Sequence, residues 1–249
     1  NIFFRIFLII NPLFQLNFVK NSKNNVASHY DLSDKLYDLF LDETRQYSCA
    51  YFEKDTDTLS DAQNNKMNRL ADKLLLNSSD NVLDIGCGSG CISISLALNS
   101  TLKVTSLEVS ELALIQAKEN ANKFNTPIHF IHADIFAKDT IFKLDHFDII
   151  VSNPPYVLES EKSMMANNVL QNEPHLAIFV PDNNPLKYYD TIAEIATKRL
   201  NQNGLLYFEI HEQKGSEILE MLKDKGFTSV ELKQDLQGKD RMVKAKWKL

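Results

Sequence analysis

The chain has 249 residues, 44% hydrophobic and 24% charged, the balance of an ordinary globular protein long enough to bury a core without disulfides or metals. Twenty-seven basic against thirty-three acidic residues give a net charge of −6, which argues against a broad surface tracking nucleic-acid phosphates. Three cysteines, Cys49, Cys87 and Cys91, are too few and too odd in number for a secreted disulfide scaffold, so a reducing compartment is expected.

Residues Ile2 to Ile10 read IFFRIFLII before Asn11-Pro12 breaks the run. Arg5 and that break leave it short of the roughly 20 apolar residues of a spanning helix. The basic leader and small-residue cleavage site of a signal peptide are missing as well. The run reads as a packed hydrophobic element, with interfacial membrane or lipid contact as the alternative. The chain begins on Asn1 rather than Met, so further residues are expected before it. Residues 1–80 read as a helical leader or lid. Ser33 can cap a short helix carrying Leu36, Leu39 and Phe40, and Thr58 to Leu76 predicts a longer one with Leu59, Ala62, Met67, Leu70, Ala71 and Leu74 near one face.

Past residue 80 strands and helices alternate. Strands are expected at Asn81–Ile85, Lys103–Glu108, Ile128–His132, Phe147–Ser152, Leu205–Ile210, Thr228–Lys233 and Arg241–Lys246. Helices are expected at about Cys91–Leu98, behind Ser110 with Leu114, Ala117, Ala121 and Phe124 at helical spacing, at about Leu186–Leu200, and in a last segment ending at Gly226. This alternation predicts an α/β domain over 81–249 with a mostly parallel sheet covered on both faces.

Only seven glycines occur in the chain, and three fall at 86, 88 and 90, between the first strand and its helix. Glycine there lets the backbone approach a ligand closely, although tight strand-to-helix turns also use it for structure alone. Glu108 ends the next strand, 22 residues after Gly86, where a carboxylate can accept from both ribose hydroxyls. Asp134 follows the third strand and can accept from an adenine amino group. Together they predict an adenosine ligand at the carboxyl edge of the sheet. The form Asp84-x-Gly-x-Gly-x-Gly resembles the class I S-adenosylmethionine-dependent methyltransferases. That resemblance implies their fold, a mostly parallel seven-stranded sheet with helices on both faces. It also implies S-adenosyl-L-methionine as cofactor, held by Asp84, Gly86, Gly88, Gly90, Glu108, Asp134 and Asn153. NAD fits less well, because Cys91 stands where the dinucleotide pattern has glycine. Cys87 and Cys91 read as small buried residues, no metal site is expected, and the six scattered histidines read as surface or satisfied core residues.

The strand Phe147–Ser152 runs straight into Asn153-Pro154-Pro155-Tyr156. Two prolines fix the backbone just past the strand end. The Asn153 side chain and the Pro154 carbonyl then become neighbouring acceptors for both hydrogens of a planar –NH₂ group. Tyr156 offers an aromatic face to the same group and to developing positive charge. Asn153, Pro154 and Tyr156 are therefore the catalytic candidates, with Pro155 added in substrate binding. The motif is that of methyltransferases acting on planar nitrogens: adenine N6, guanine N2 or glutamine amide.

From about Val82 to Leu249 the chain resembles the catalytic domain of peptide chain release factor glutamine N5-methyltransferases. The resemblance rests on VLDIGCGSGCISISLA, DIIVSNPPYV, NVLQNEPHLAIFVPDNNPLKYY, GLLYFEI and DLQGKDRMVKA. It implies that Asn153, Pro154 and Tyr156 hold the glutamine amide of a release factor's Gly-Gly-Gln loop, in the cytoplasm. Glu173-Pro174 and Glu209 fall in these stretches without an assigned role. Residues from about 25 to 85 instead resemble the N-terminal part of cyclopropane-fatty-acid synthases, through NVASHYDL and LYDLFLDETRQYSCAYF. That second resemblance implies Tyr30 and Tyr47 near the cofactor and Cys49 at a bicarbonate site. The chain thus reads as a hybrid joined near residues 82–90. Glutamine-amide methylation leads; a lipid methyltransferase, a nucleic-acid amino-methyltransferase and a cofactor-binding module without activity are the alternatives.

Overall fold

The computed structural model describes residues 50–62, 65, 77, 79–98, 101–137, 144–165, 170, 174–235 and 237–248. The apolar run at 2–10, the helix expected after Ser33, Tyr30, Tyr47, Cys49 and Glu173 lie outside the described residues, as does most of the helix expected over Thr58–Leu76. Its start is described. Residues 59–62 are helical, and Thr58 and Asp61 cap that turn reciprocally, each side chain accepting from the other's backbone N–H at 3.2 and 3.0 Å.

The sheet domain opens with β1 (Asn81–Ile85), α1 (Cys91–Leu98), β2 (Lys103–Glu108), α2 (Glu111–Lys123), β3 (Ile128–His132) and β4 (Phe147–Ser152). A short insertion follows. It holds β5 (Val157–Leu158), two 3₁₀ turns at Glu159–Met164 and His175–Ala177, and β6 (Phe179–Val180). The chain closes with α3 (Lys187–Arg199), β7 (Leu200–Glu209), α4 (Gly215–Asp224), β8 (Thr228–Gln234) and β9 (Asp240–Lys246). Seven strands form one sheet in the order β3-β2-β1-β4-β7-β9-β8, and β5 pairs with β6 apart from it. Pairing is parallel except at β9, which runs antiparallel to both β7 and β8. This is the class I methyltransferase fold.

The central strands are apolar on both sides because both faces are covered. Leu83, Ile85, Ile150, Leu206 and Phe208 pack with Tyr189, Ile192, Ala193 and Ala196 of α3 and Ile218 and Leu222 of α4. The intervening residues Val82, Val104, Ile149 and Val151 form a second cluster with Leu96 of α1, as the two-residue period of a strand requires. Ser110 caps α2 by accepting from the Ala113 N–H at 3.3 Å, the role its sequence context predicted.

Two features depart from expectation. β7 begins at Leu200 rather than Leu205, because Leu200 pairs with Phe147 across an irregularity in the β4 edge. Asn201, Asn203 and Gly204 read as turn residues in sequence. The β5–β6 pair was not expected, since two strands of two residues leave no periodicity to read. Leu206 is fully buried at the middle of this packing. Leu206→Ala is therefore expected to lower unfolding stability by about 2–5 kcal/mol, measured by denaturant titration.

Candidate functional site

Parallel pairing sets the site. Ile85 is in register with Ser152, Ile85 with Leu107 and Glu108 with His132. The segments leaving β1, β2, β3 and β4 therefore emerge side by side at one edge of the sheet. The chain turns outward in opposite senses from β1 and β4, and such a switch point opens a crevice at the carboxyl ends of the strands. The Ser152 hydroxyl donates to the Ile85 carbonyl at 2.7 Å, tying the root of the Asn153 loop to the root of the glycine loop.

The glycine loop is held from three sides. The N–H groups of Gly86 and Cys87 donate to the Leu107 carbonyl at 2.8 and 3.3 Å. Asn120 of α2 donates its amide to the Ser89 carbonyl at 3.0 Å. The Gly88 N–H donates to the Glu108 carboxylate at 2.9 Å. Gly88 has φ +53°, and a side-chain carbon there would meet nothing within 4 Å. At Gly90, φ +84°, the same carbon would press on Ala117 and Ile94 at 3.3 Å. Gly90 thus serves helix packing, while the space over Gly86 and Gly88 is open, a cradle that side chains would fill.

Acidic groups surround that cradle. Glu108 is only 8% exposed and also accepts from the N–H groups of Val109 and Ser110 at 3.0 and 2.9 Å. With Gly88 this occupies three of about four acceptor directions of a carboxylate. Asp84 is fully buried, so its place is beneath the loop rather than on the open surface. It accepts from the Ser93 hydroxyl at 2.5 Å, and Ser93 in turn meets Ser106 at 2.6 Å. Its Oδ1 has no partner. Burial pushes the Asp84 carboxyl up to about 6, against the Ser93 hydrogen bonds that lower it. Burial, then the charges of Asp84 and Glu108, pushes the Cys87 thiol up to about 12. Cys87 is buried as expected. Cys91 is exposed, a correction that follows from its place at the first position of α1, whose buried residues are Ser93, Ile94 and Leu96.

Asp134 lies exposed at the rim and accepts from the Phe136 N–H at 2.9 Å. Phe136 meets Tyr188 with centroids 5.4 Å apart, and the Lys187 ammonium stands 4.2 Å from its ring centroid. These three side chains escaped the sequence reading, because a pair of tyrosines at a helix start looks like core.

In the Asn153 loop, Asn153 is exposed, Pro154 buried, and Pro155 and Tyr156 half-buried. The Tyr156 hydroxyl donates to the Glu209 carboxylate at 3.0 Å, and its ring meets His211 edge-on at 6.3 Å. Burial, then the Glu209 charge, raises the Tyr156 hydroxyl above its ordinary value. His211 is a satisfied core residue. Its Nδ1 accepts from the Gln213 N–H at 3.1 Å, so Nε2 carries the hydrogen that Glu161 accepts at 3.1 Å. Glu161 also accepts from the Leu158 N–H at 2.8 Å, pinning the insertion to the end of β7. Among the described residues no group of three or more His, Cys, Asp and Glu could hold a metal ion, and no helix is long and apolar enough to cross a membrane.

The family model described as mycolic acid cyclopropane synthetase matches residues 18–156, more than half of the chain. Release factor glutamine methyltransferase of Flavobacterium psychrophilum is 46% identical over 168 residues, 67% of this chain and 58% of that protein. The protein of the same name from Bacteroides thetaiotaomicron is 44% identical over 165 residues, 66% of this chain and 59% of its own length. The match therefore spans less than two thirds of these relatives. Among solved structures, a methyltransferase from Pyrococcus furiosus superposes with a TM-score of 0.54 at 16% identity, covering 80% of this chain and 88% of that one. This likeness concerns the fold. Both resemblances read from the sequence are thus present in one chain.

The raised carboxyl of Asp84 gives a pH signature. Unfolded, an aspartate releases its proton near 3.9; folded, Asp84 keeps it to about 6. Between those values the native state binds the extra proton, so stability falls as pH rises, by about 3 kcal/mol in all, and is flat above. Denaturant titrations should show wild type losing about 2 kcal/mol of this relative to Asp84→Asn between pH 4 and 6.5. A difference independent of pH would contradict the assignment.

Proposed function

We propose a function for a chain that belongs to the mycolic acid cyclopropane synthetase family by the match over its residues 18–156: S-adenosylmethionine-dependent methylation of the glutamine side-chain amide in a peptide chain release factor. The observation that carries it is the Asn153-Pro154-Pro155-Tyr156 loop at the carboxyl end of β4, one strand from the glycine cradle. The family match ends at Tyr156. The sequence of this loop is the kind used on planar nitrogens, and similarity to release factor glutamine methyltransferases favours the amide among them. With a release factor as its partner, the enzyme of this proposal works in the cytoplasm.

The residues present suit the cofactor. The cradle over Gly86 and Gly88 leaves room for a ligand, and the unpartnered Oδ1 of Asp84 with the Glu108 carboxylate favours one that carries positive charge. In this reading Gly86 and Gly88 shape the cradle, Gly90 lets the helix behind it pack closely, Asp84 supplies charge from beneath, Glu108 accepts from the ribose and Asp134 from the adenine. When bound, S-adenosylmethionine supplies an electrophilic methyl group. The Asn153 side-chain oxygen and the Pro154 carbonyl accept the two N–H hydrogens of the substrate amide and turn its nitrogen toward the cradle. Tyr156 covers one face of the amide, where positive charge develops on nitrogen. The proton leaves to water afterwards, so no general base is required before attack.

The family match favours a second reading, methyl transfer to unsaturated lipid. Parallel reactions with labelled S-adenosylmethionine distinguish the two, one offered a purified release factor and the other unsaturated phospholipid vesicles. Label on a release-factor glutamine is expected; label in the lipid would overturn the proposal. Asn153→Ala should lower turnover by about 10²–10³ while cofactor binding, followed by calorimetry, stays within a few-fold of wild type. Retained turnover would remove Asn153 from the reaction.

A further inference from the structure

The segment DLQGKDRMVKA, at the turn between β8 and β9, lies at the far edge of the sheet in strand order, yet one of its side chains acts at the candidate site. Asp235 organises the turn. Its Oδ1 accepts from the N–H groups of Gln237 and Lys239 at 2.9 and 3.1 Å, and its own N–H donates to the Lys239 carbonyl at 2.8 Å. Its Oδ2 takes the Arg241 Nε at 3.3 Å. Antiparallel pairing sets Glu209 opposite Met242, and the Ile210 N–H donates to the Arg241 carbonyl at 2.9 Å. The guanidinium is thereby delivered to Tyr156 and Glu209, both of which interact with its charge. Glu212 adds a carboxylate 4.0 Å from Arg241 and 2.6 Å from Lys239. From the other side Tyr189, itself 1% exposed, donates its hydroxyl to the Glu209 carbonyl at 3.2 Å.

We propose that Glu209 is a positioning residue: by accepting from the Tyr156 hydroxyl, with its own backbone held by Tyr189 and by pairing with β9, it fixes the ring of Tyr156 beside Asn153. The proposal rests on the reading of residues 153–156 as the amide-holding loop. The two prolines fix the backbone of that loop but leave the side-chain angles of Tyr156 free. A charge-assisted hydrogen bond at the far end of the ring removes that freedom. Neutral β7–β9 pairing alone would hold the strands together. A carboxylate accepting directly from the Tyr156 hydroxyl does more than that.

The test separates positioning from plain structural support. Glu209→Ala should lower kcat by about 100-fold with KM for S-adenosylmethionine unchanged. Glu209→Gln, which keeps an acceptor oxygen, should recover most of the loss. The Tyr156→Phe/Glu209→Ala double variant should be no slower than the slower single variant, because both remove the same bond. Losses that multiply, or a glutamine variant no better than alanine, would overturn the proposal. A second measurement needs no substrate. With tyrosine labelled by ¹³C at Cζ, the Tyr156 signal, assigned by its absence in Tyr156→Phe, should titrate above the ordinary tyrosine range and move down in Glu209→Gln. An unmoved titration would also overturn the role of Glu209, and this arm holds if Glu209→Ala fails to fold. Absence of wild-type turnover on a release factor would refute the proposed function instead, leaving the titration to decide whether Glu209 holds the hydroxyl.

Discussion

The rest of the site depends on the register between β1 and β4. Ile85 opposite Ser152, with the serine hydroxyl bonded to the Ile85 carbonyl, places residues 86 and 153 next to each other at the same edge. Neither loop could be moved along its strand without a packing penalty. A slip of one residue would exchange Leu83 and Ile85 for Val82 and Asp84 on the face that meets α3. The buried alternation that stabilises the core is therefore also what aligns the two loops. The serine at the end of that strand adds a hydrogen bond available in one register only.

The same edge carries a concentration of unfavourable electrostatics. Asp84 is fully buried with one oxygen unpaired, and Glu108 is nearly buried beside it. An unpaired buried acceptor costs about 1–3 kcal/mol, and two neighbouring carboxylates add repulsion. Structural packing has no use for this arrangement, since Ser93 and Ser106 could bond one another without Asp84. Three glycines with positive φ add the conformational entropy lost when flexible residues are fixed. Costs that accumulate at one loop, in a core otherwise well satisfied, are the mark of a ligand site.

Much of this was legible in the sequence, for a physical reason that differs from element to element. The central strands were readable because parallel strands buried on both faces are short runs rich in apolar residues, and the helices because their buried positions recur at helical spacing. The glycine loop and the Asn153 loop stood out because glycine and proline constrain backbone geometry locally. What stayed hidden depends on contacts between distant segments. Glu209 and Arg241 lie 53 and 85 residues after Tyr156, and nothing local to either shows that they meet. Cys91 was misjudged because the orientation of a helix's first residue follows from packing. The start of β7 was missed because pairing with Phe147 overrode the turn preference of Asn201 and Asn203.

The two family resemblances become compatible once the fold is divided by what each part does. In the proposed reading the carboxyl edge formed by β1, β2 and β3 takes the cofactor, so sequences that share it need not share a substrate. Discrimination between substrates has to come from what lies beyond the cradle: the loop after β4 and the insertion that follows. That insertion is short, yet it is fastened twice. Glu161 bridges it to His211 at the end of β7, and Ser160 bonds Asp182 across β5 and β6 through both its hydroxyl and its N–H. The Ser160 hydroxyl holds the Asp182 carboxyl below the usual range, so the second fastening persists at ordinary pH. Behind the loop Tyr156 meets Glu209 and His211, and His211 meets Glu161, a chain of polar contacts. Under the proposed function these contacts hold Tyr156 ready for a planar polar group presented on a protein loop.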